Sequence, residues 1–506
     1  MAKGEFHIGP RGPGPCSADP SKPGAKGCPY GGASGSDGHF KTAVEAEVHY
    51  VRSMEEEHGM FSTTPATIPA YETRHAVIFG EDAEVLDHEM EVDEATEKAN
   101  RLLITAGFRP MIVGGAVRDS LLGREAPKDF DIEIHGAKSF DQIFKVLKGK
   151  AQLTLTGKSF GVIKAKMKLD DGSWSEDLDL SLPRRESKIG DGHRGFKIEV
   201  DPTMSLHEAT SRRDLTINSL LWDPVAKQVI DMHEGTKDLR NGILRHTSEA
   251  FDEDPLRVLR IARFSAKLGF STADETVELS NSLVGNFDQL FSSRVTGELN
   301  RMILEPHAGK GFQFLKDSGW DKKMGDLSKV NTPELSKHMQ AAQEDAAGMD
   351  QFNSKSGKRT MALSVMSKAL LENGSKNSAK TLEHFVASGA ELKRAVEISK
   401  SSILKIKGPI SNSEARQLAW DNQKITAFEA LTVAKTSSTD NSPERKAYTD
   451  AMAQFWELEI LTKHEADKFD PEGVIARHKA NNPGIKDGPW IRDILQEHRT
   501  AQYNRD

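Results

Sequence analysis

Glycines, an arginine and two aspartates lie close together in residues 113–131, which read VGGAVRDSLLGREAPKDFD. Gly114 and Gly115 lack a Cβ atom, so the backbone there can approach phosphate groups and offer N–H donors. Asp129 and Asp131 project to the same side of a strand if this segment is extended. Two neighbouring carboxylates suit Mg²⁺ that also binds phosphate oxygens. The segment therefore indicates metal-assisted chemistry on a nucleoside triphosphate.

A second block, residues 211–220, reads SRRDLTINSL. Arg213 stands beside hydrogen-bonding groups, among them Asp214 and Asn218. This combination suits a triphosphate and its ribose, because the arginine guanidinium binds phosphate with two parallel hydrogen bonds. Pairing of Arg213 with Asp214 inside a helix fits the block equally well.

A third block, residues 253–264, reads EDPLRVLRIARF. Pro255 suits the first turn of a helix. Arg257 and Arg260 then share one helix face, and Asp254 lies one turn before Arg257. Taken alone, the block favours a structural interpretation, with Asp254 as an N-cap and solvated arginines.

Composition limits the class of protein. The 506 residues contain 28% charged residues, no apolar run of transmembrane length and no N-terminal signal segment. The two cysteines, Cys16 and Cys28, predict no disulfide framework. We expect a cytoplasmic protein of several domains without membrane association.

Charge is distributed unevenly along the chain. Residues 43–100 contain 15 Asp and Glu against 3 Lys and Arg, whereas residues 354–408 contain 11 Lys and Arg against 4 Glu. The basic stretch suits a polyanion, although a solvated helix surface is the alternative.

The residue pattern predicts an α+β protein. Residues 1–40 are predicted to be a disordered tail, 41–95 an acidic helical extension continuing into a helix that ends near Gly107, and the part after Gly242 all-helical. Between them strands alternate with helices at 116–122 and 139–147. The strands are predicted at 111–113, 130–134, 161–168, 177–182, 196–200 and 228–230. The predicted helices of the later part include 255–268, 276–283, 295–303, 358–371 and 447–463.

In this order the blocks resemble the class II tRNA nucleotidyltransferase family. That family contains CCA-adding enzymes and bacterial poly(A) polymerases and belongs to the DNA polymerase β superfamily. The resemblance covers about residues 110–305 and includes further motifs at 183–188 (PRRESK), Asp231 with Gly235, and 244–246 (LRH).

The resemblance implies a domain order and an activity. A small mixed β-sheet nucleotidyltransferase head would span 96–245, a helical neck with a base-reading motif 246–305, and a helical body and tail 306–506. The activity would be addition of CCA to tRNA from CTP and ATP, with release of pyrophosphate. The body would bind the acceptor and TΨC arms of tRNA, and the oligomeric state stays open.

The resemblance also implies residue roles. Asp129 and Asp131 would hold two Mg²⁺ ions, and Asp179 lies where the family carries a further carboxylate. Gly115 and Arg118 would contact phosphate and sugar. Asp254 and Arg257 would read the base with support from Arg260, so the full predicted nucleotide-binding set is Gly114, Gly115, Arg118, Arg213, Asn218, Asp254, Arg257 and Arg260.

Within the basic stretch, Lys393, Arg394 and Lys400 are the predicted RNA-binding residues. Three alternatives to CCA addition remain. A poly(A) polymerase would carry two consecutive basic residues where Lys158 is followed by Ser159. A partial enzyme would add only CC or only A, and an inactive RNA-binding module would have kept the fold without the chemistry.

Overall fold

A computed structural model describes most of the chain. The described residues are 6–9, 12–15, 39–40, 73–78, 80–124, 130–156, 161–188, 196–347, 354–421, 427–438, 442–457, 475–476 and 478–480. Asp129 lies outside this set. So do residues 41–72 of the predicted acidic extension and most residues of the predicted disordered tail.

Three short strands lie in the tail that we predicted to be disordered. They are β1 (Phe6–Gly9), β2 (Gly12–Pro15) and β3 (His39–Phe40), paired antiparallel in the order β2-β1-β3. The prediction is wrong for these residues. We predicted disorder from the low apolar content of the tail. Strand pairing depends on the backbone instead, and here Gly9 pairs with Gly12 across a connection of two residues.

A nine-stranded mixed sheet forms the centre of the head. Its strands are β4 (Arg74–Ile78), β5 (Glu81–Asp87), β6 (Arg109–Val113), β7 (Asp131–His135), β8 (Ala151–Thr156), β9 (Val162–Met167), β10 (Leu178–Ser181), β13 (Leu221–Asp223) and β14 (Gln228–Asp231). Their order is β4-β5-β14-β13-β6-β7-β10-β9-β8. Only β7 and β10 pair in parallel; the other neighbours of this sheet are antiparallel. Strands β11 (Arg184–Lys188) and β12 (Phe196–Val200) form a separate two-stranded sheet.

The middle of the sheet is buried on both faces. Met111, Ile112, Ile132 and Ile134 have no exposed surface. Strands covered on both sides are rich in branched apolar residues, which explains why β6 and β7 were predictable from short apolar runs. Strand β7 nevertheless carries the charged Glu133 between its two isoleucines.

The N-terminal part of the sheet consists of residues that we predicted to be helical, and this prediction is wrong. Residues 74–87, expected to be part of an acidic helix, form the hairpin β4–β5, and β5 pairs with β14. Ala83 and Val85 are buried against Val113 and Leu206. Ala83 and Val85 are two residues apart, so they lie on the same side of the strand, and the less buried Glu84 lies between them.

Five helices accompany this sheet: α1 (Glu94–Thr105), α2 (Gly115–Leu121), α3 (Phe140–Leu147), α4 (Leu206–Ser211) and α5 (Gly235–Asn241). Helix α1 begins at Asp93, whose carboxylate accepts the Thr96 N–H at 2.7 Å. Helix α4 begins with a capping box between Ser205 and Glu208. The predicted helices at 116–122 and 139–147 are confirmed as α2 and α3.

Strand β15 (Ile243–Leu244), at the end of the predicted head, pairs in parallel with β16 (Ser271–Thr272) of the predicted neck. Between them lies α6 (Leu256–Leu268), and α7 (Asp274–Ser282) follows. The chain divides into two compact units, Thr63–Leu290 and a second unit with Phe291–Asp506 and the residues before Thr63. This division falls inside the predicted neck of 246–305, so α6 and α7 belong with the head.

The part after Gly242, which we predicted to be all-helical, contains the short strands β15 and β16. After Thr272 the described residues contain helices and no strand. The remaining helices are α8 (Ser292–Met302), α9 (Ala308–Asp317), α10 (Thr332–Ala347), α11 (Lys355–Glu372), α12 (Ser378–Leu382), α13 (Gly389–Ser399), α14 (Asn412–Asp421), α15 (Ala427–Thr436) and α16 (Pro443–Glu457). Helix α11 packs against α10 and α13. No described helix is long and apolar enough to span a membrane.

Gly235 shows how tightly the head is packed. The Asp231 carboxylate accepts the backbone N–H groups of Gly235 at 3.0 Å and Thr236 at 2.7 Å, so it caps α5. A Cβ atom on Gly235 would lie 2.3 Å from the carbonyl oxygen of Thr216. Backbone atoms cannot yield as a flexible side chain does, so this position requires glycine.

We predict that Gly235→Ala lowers the free energy of unfolding by about 1–3 kcal/mol, because the added methyl group overpacks the site. Urea unfolding of the full chain measures it. Gly285→Ala is the matched control, since a Cβ atom there meets no atom within 4 Å. Equal stability of the two variants would contradict the prediction.

Candidate nucleotide-binding site

A cavity of about 940 Å³ opens in the head. Its lining includes two aspartates, five arginines and three residues of α4: Asp131, Asp179, Arg184, Arg185, Arg212, Arg213, Arg257, His207, Glu208 and Ser211. Carboxylates beside arginines suit a polyanionic ligand that is bound together with a metal ion.

The two carboxylates lie side by side on the parallel strands β7 and β10. Asp131 is exposed, and the register pairs it directly with Asp179. Lys164 Nζ lies 2.9 Å from Asp179 Oδ1, so a lysine already balances the charge of Asp179. The parallel register thus brings the two predicted carboxylates together at one edge of the cavity.

The donor set fits Mg²⁺. Among the described residues, no group of three or more His, Cys, Asp or Glu could hold a metal ion. Mg²⁺ is usually held by one or two carboxylates, with phosphate oxygens and water as its other ligands, so a fuller protein cage is not required. Asp131 supplies one such carboxylate, and Asp129 of the predicted pair lies outside the described residues.

Gly114 connects β6 to α2 in a conformation that requires glycine. Its φ is +79°, and its N–H donates to the Leu220 carbonyl oxygen at 3.1 Å. A Cβ atom here would lie 3.2 Å from Arg213 Nη1. The predicted glycine therefore makes room for an arginine of the cavity wall, and Gly115 follows as the first residue of α2.

Arg118 lies in a buried network and not among the cavity-lining residues. Its Nη1 donates to Asn218 Oδ1 at 2.5 Å, and its Nε and Nη2 each donate to the Asp119 carboxylate at 2.8 Å. Phe264 covers the guanidinium, 5.0 Å from its ring centroid. This geometry favours a role in positioning over the phosphate contact that we predicted for Arg118.

Asn218 and Arg260 extend the same network through Asp214. Asn218 Nδ2 donates to Asp214 Oδ1 at 3.0 Å, and Arg260 Nε donates to Asp214 Oδ2 at 2.7 Å. Burial raises the pKa of Asp214, but the Arg260 charge and the Asn218 hydrogen bond outweigh it and leave the pKa below its ordinary value. The network joins α2, the 3-10 helix Thr216–Asn218 and α6.

Glu133 holds the two arginines of the second block. Arg212 Nη2 donates to Glu133 Oε2 at 2.9 Å, and Arg213 Nη2 lies 4.0 Å from the same oxygen. Glu133 is 1% exposed, and burial raises its pKa. The hydrogen bond from His135 and the charges of Arg213 and Arg212 outweigh burial and lower the pKa to about 2. Glu133 is therefore an anion that orients the cations of the cavity wall.

The third block reaches the cavity through Arg257. The Arg257 guanidinium donates to the carbonyl oxygens of Ala250 and, at 2.6 Å, Arg212. Asp254 does not line the cavity, and its carboxylate accepts the Leu256 N–H at 3.2 Å. The structure thus includes the N-cap-like contact of the structural interpretation, and base reading by Asp254 and Arg257 stays a prediction.

Several residues of the site had no role in our prediction. Arg184 and Arg185 belong to the quoted motif 183–188, and both line the cavity. His207 was missed because an isolated histidine in a short helix carries no local signal. Glu133 had a signal, since it lies two residues after Asp131 on the same side of the strand and interrupts an apolar run.

The predicted RNA-binding residues lie on α13 and at its C-cap, in the helical body. Lys393 and Lys400 are exposed. Arg394 instead makes two hydrogen bonds of 2.7 Å to Glu429, which is 1% exposed. Removing one partner of such a pair leaves the other buried and unpaired, so we assign Arg394 a structural role.

The family model of the poly A polymerase head domain matches residues 110–245. The matched region contains β6, β7 and β10 with the carboxylates and both arginines that Glu133 orients. Residues 110–245 are thus similar to the head domain of that family. Most of the cavity-lining residues lie in the matched region, and Arg257 lies after it.

Relatives of known name match this head as well. A multifunctional CCA protein of Pasteurella multocida is 41% identical over 213 residues, 41% of this chain and 47% of that protein. A multifunctional CCA protein of Nitrosospira multiformis is 37% identical over 214 residues, 42% of this chain and 48% of that protein. The chain thus spans about half the length of the curated relatives it matches.

Solved structures share the fold over more of the chain. A Bacillus stearothermophilus CCA-adding enzyme in complex with CTP has a TM-score of 0.56 at 20% identity, covering 81% of this chain and 92% of that chain. A Thermotoga maritima CCA-adding enzyme complexed with tRNA has a TM-score of 0.55 at 20% identity, covering 82% and 93%. The chain has the fold of these proteins: an α+β head followed by helices.

We predict that Glu133 makes stability depend on acidity. Its folded-state pKa of about 2 lies below the ordinary 4.5, so its ionised form stabilises the head above pH 4.5. That contribution, on the order of 2–3 kcal/mol, is lost as the pH falls through the folded-state value. Urea unfolding of wild type and Glu133→Gln across this pH range measures it.

The variant is expected to be less stable at neutral pH and to lose less on acidification, because it has no carboxylate to protonate. Glu176→Gln, a change at an exposed glutamate of the same unit, is the control and should follow wild type. Parallel pH profiles for Glu133→Gln and wild type would contradict the assignment.

Proposed function

We propose that the chain is a template-independent RNA nucleotidyltransferase that adds or repairs the 3′-terminal CCA of tRNA from CTP and ATP. The observation that carries the proposal is that Asp131 and Asp179 line the same cavity as five arginines. The names of the relatives and the fold support the same activity. The proposed substrates place the reaction in the cytoplasm.

In the proposed reaction the 3′-hydroxyl oxygen of tRNA forms a bond to the α-phosphorus of the nucleotide. The bond between that phosphorus and the bridging oxygen breaks, and pyrophosphate leaves with the electron pair. Asp129 and Asp131 would hold two Mg²⁺ ions, whose charge lowers the pKa of the 3′-hydroxyl and balances the triphosphate. Arg212 and Arg213, held by Glu133, lie where they can stabilise charge that develops on the phosphates.

Base selection would use Asp254 and Arg257. Cytosine and adenine both present an amino donor beside a ring-nitrogen acceptor, which a carboxylate and a guanidinium satisfy. Uracil and guanine place a carbonyl oxygen where the amino group should be, and such a mismatch costs on the order of 1–3 kcal/mol. Two N–H groups of Arg257 bond carbonyl oxygens of the protein, and the guanidinium has five, so donors remain for a base.

An incorporation assay tests the proposal. The full chain receives Mg²⁺ and tRNA transcripts that end before CCA, after C or after CC, with CTP, ATP, both, UTP or GTP. Stepwise growth to CCA and no further is expected. Long A tracts would identify a poly(A) polymerase, a stop after CC or addition of A alone would identify a partial enzyme, and absence of incorporation would favour an inactive RNA-binding module.

We predict that Asp131→Ala abolishes nucleotide incorporation without unfolding the head, because the exposed carboxylate supports chemistry and not packing. A loss of about 10³-fold or more would match removal of a group that binds a catalytic ion. Asp141→Ala, at another exposed aspartate of the head, should keep wild-type turnover and melting temperature. Retained turnover in Asp131→Ala would disprove the metal assignment.

The helical body would bind tRNA by shape and backbone charge. Lys393 and Lys400 are seven residues apart, which places them on one face of α13 and its C-cap, and both are exposed. We propose this face, without Arg394, as part of the surface for the acceptor and TΨC arms.

We predict that the double variant Lys393→Glu/Lys400→Glu raises the KM for tRNA about tenfold, because each lost phosphate contact weakens the salt-dependent affinity for RNA. The KM for ATP should stay within about twofold of wild type. Lys310→Glu/Lys446→Glu, at exposed lysines of other helices, is the control of equal charge. Unchanged tRNA affinity in the first double variant would remove this face from the proposal.

A further inference from the structure

The hairpin β4–β5 lies before the residues that the family model matches, yet it is part of the head. Strand β5 pairs with β14 from Glu84 to Asp87. Two of its side chains, Ala83 and Val85, are buried in the same cluster as Leu206 of α4. The hairpin and α4 therefore share one apolar core.

Glu81, the first residue of β5, makes the polar link between them. Its Oε1 accepts the backbone N–H of Leu206 at 2.6 Å, and its Oε2 accepts that of His207 at 3.1 Å. These are the first two residues of α4, whose N–H groups have no partner inside the helix. A carboxylate also interacts favourably with the positive end of the helix dipole.

Helix α4 also has a cap of its own. Its own capping box already links Glu208 N–H to Ser205 Oγ at 3.1 Å and Ser205 N–H to Glu208 Oε2 at 3.4 Å. Glu81 satisfies two different N–H groups from a strand that is 125 residues away in sequence. Its contribution is therefore to fix where α4 lies relative to the sheet.

The position of α4 matters because α4 forms a wall of the cavity. His207, Glu208 and Ser211 line it. Glu208 also pairs at 3.3 Å with Arg185, which lines the cavity too. A shift of α4 would move these groups together.

We propose that Glu81 is a positioning residue for nucleotide binding: by holding the first turn of α4, the hairpin sets the cavity wall that carries His207, Glu208 and, through Glu208, Arg185. This inference rests on the proposed function for the identity of the ligand. It assigns a role to a segment that our sequence prediction treated as an extension separate from the head.

The test compares wild type with Glu81→Ala, Glu81→Gln and the control Glu84→Ala, all in the full chain. Glu84 lies on the same strand and interacts with Arg240 at 3.6 Å, so its loss removes a hairpin charge without touching α4. Binding of ATP with Mg²⁺ is measured by equilibrium dialysis, and KM and kcat for nucleotide and tRNA are measured where turnover is present.

We expect Glu81→Ala to raise the Kd and KM for nucleotide about fivefold while kcat and the KM for tRNA stay within about twofold, as for displaced binding groups. Glu81→Gln keeps one acceptor oxygen and should fall between Glu81→Ala and wild type. Glu84→Ala should match wild type. If Glu81→Ala does not fold, the nucleotide Kd of Glu81→Gln is compared with that of wild type, provided that the two melting temperatures agree.

A wild-type Kd for nucleotide in the Glu81 variants, or an equal rise in Glu84→Ala, would overturn the inference. Failure of the proposed function gives a different result. Wild type would then bind ATP but transfer no nucleotide to tRNA, and the dialysis comparison of the Glu81 variants would still decide the role of Glu81.

Discussion

The buried ion pair between Glu133 and Arg212, with Arg213 beside it, is the interaction on which the rest of the cavity depends. Five arginines line one cavity, and cations that lie close together repel one another unless an anion lies among them. Glu133 supplies that anion from inside the sheet. Other features follow from the positions that it imposes: the Arg212 carbonyl oxygen accepts from Arg257, and Gly114 has no Cβ where Arg213 Nη1 approaches. The arginines of the proposed site are thus held in place by the protein itself, which would reduce the cost of ordering side chains when a ligand binds.

A second network, running from Arg118 through Asn218 and Asp214 to Arg260, explains why motifs far apart in sequence occur together. Arg118 and Asn218 are 100 residues apart, yet the side chain of one holds that of the other. Buried polar groups are stable only when every partner is present, so the residues of such a network are required as a set. Some of the residues that look like ligand contacts in the sequence are therefore framework residues, which hold α2, the 3-10 helix and α6 in register behind the cavity.

The compact unit of the head extends beyond both ends of the region that the family model matches. The hairpin β4–β5 extends the sheet on one side and holds α4 through Glu81. Helices α6 and α7 follow the residues that the family model matches and belong to the same compact unit. The hairpin buries apolar side chains in the core of the head and caps α4, so on this side the folded unit extends beyond the residues that the family model matches.

Local patterns in the sequence determined much of this protein. Apolar runs marked β6 and β7, the pair of glycines marked the turn into α2, and the order of the motifs indicated the similarity of the head to the poly A polymerase head domain. These features depend on residues within one turn or one strand, so a single sequence contains them. Only the tertiary structure decided which partner each charged side chain has: Glu133 with Arg212, Arg394 with Glu429, and Glu81 with the first turn of α4. Those pairings join residues 35 to 125 positions apart, and no local periodicity specifies which distant charges meet when the chain buries its apolar surface.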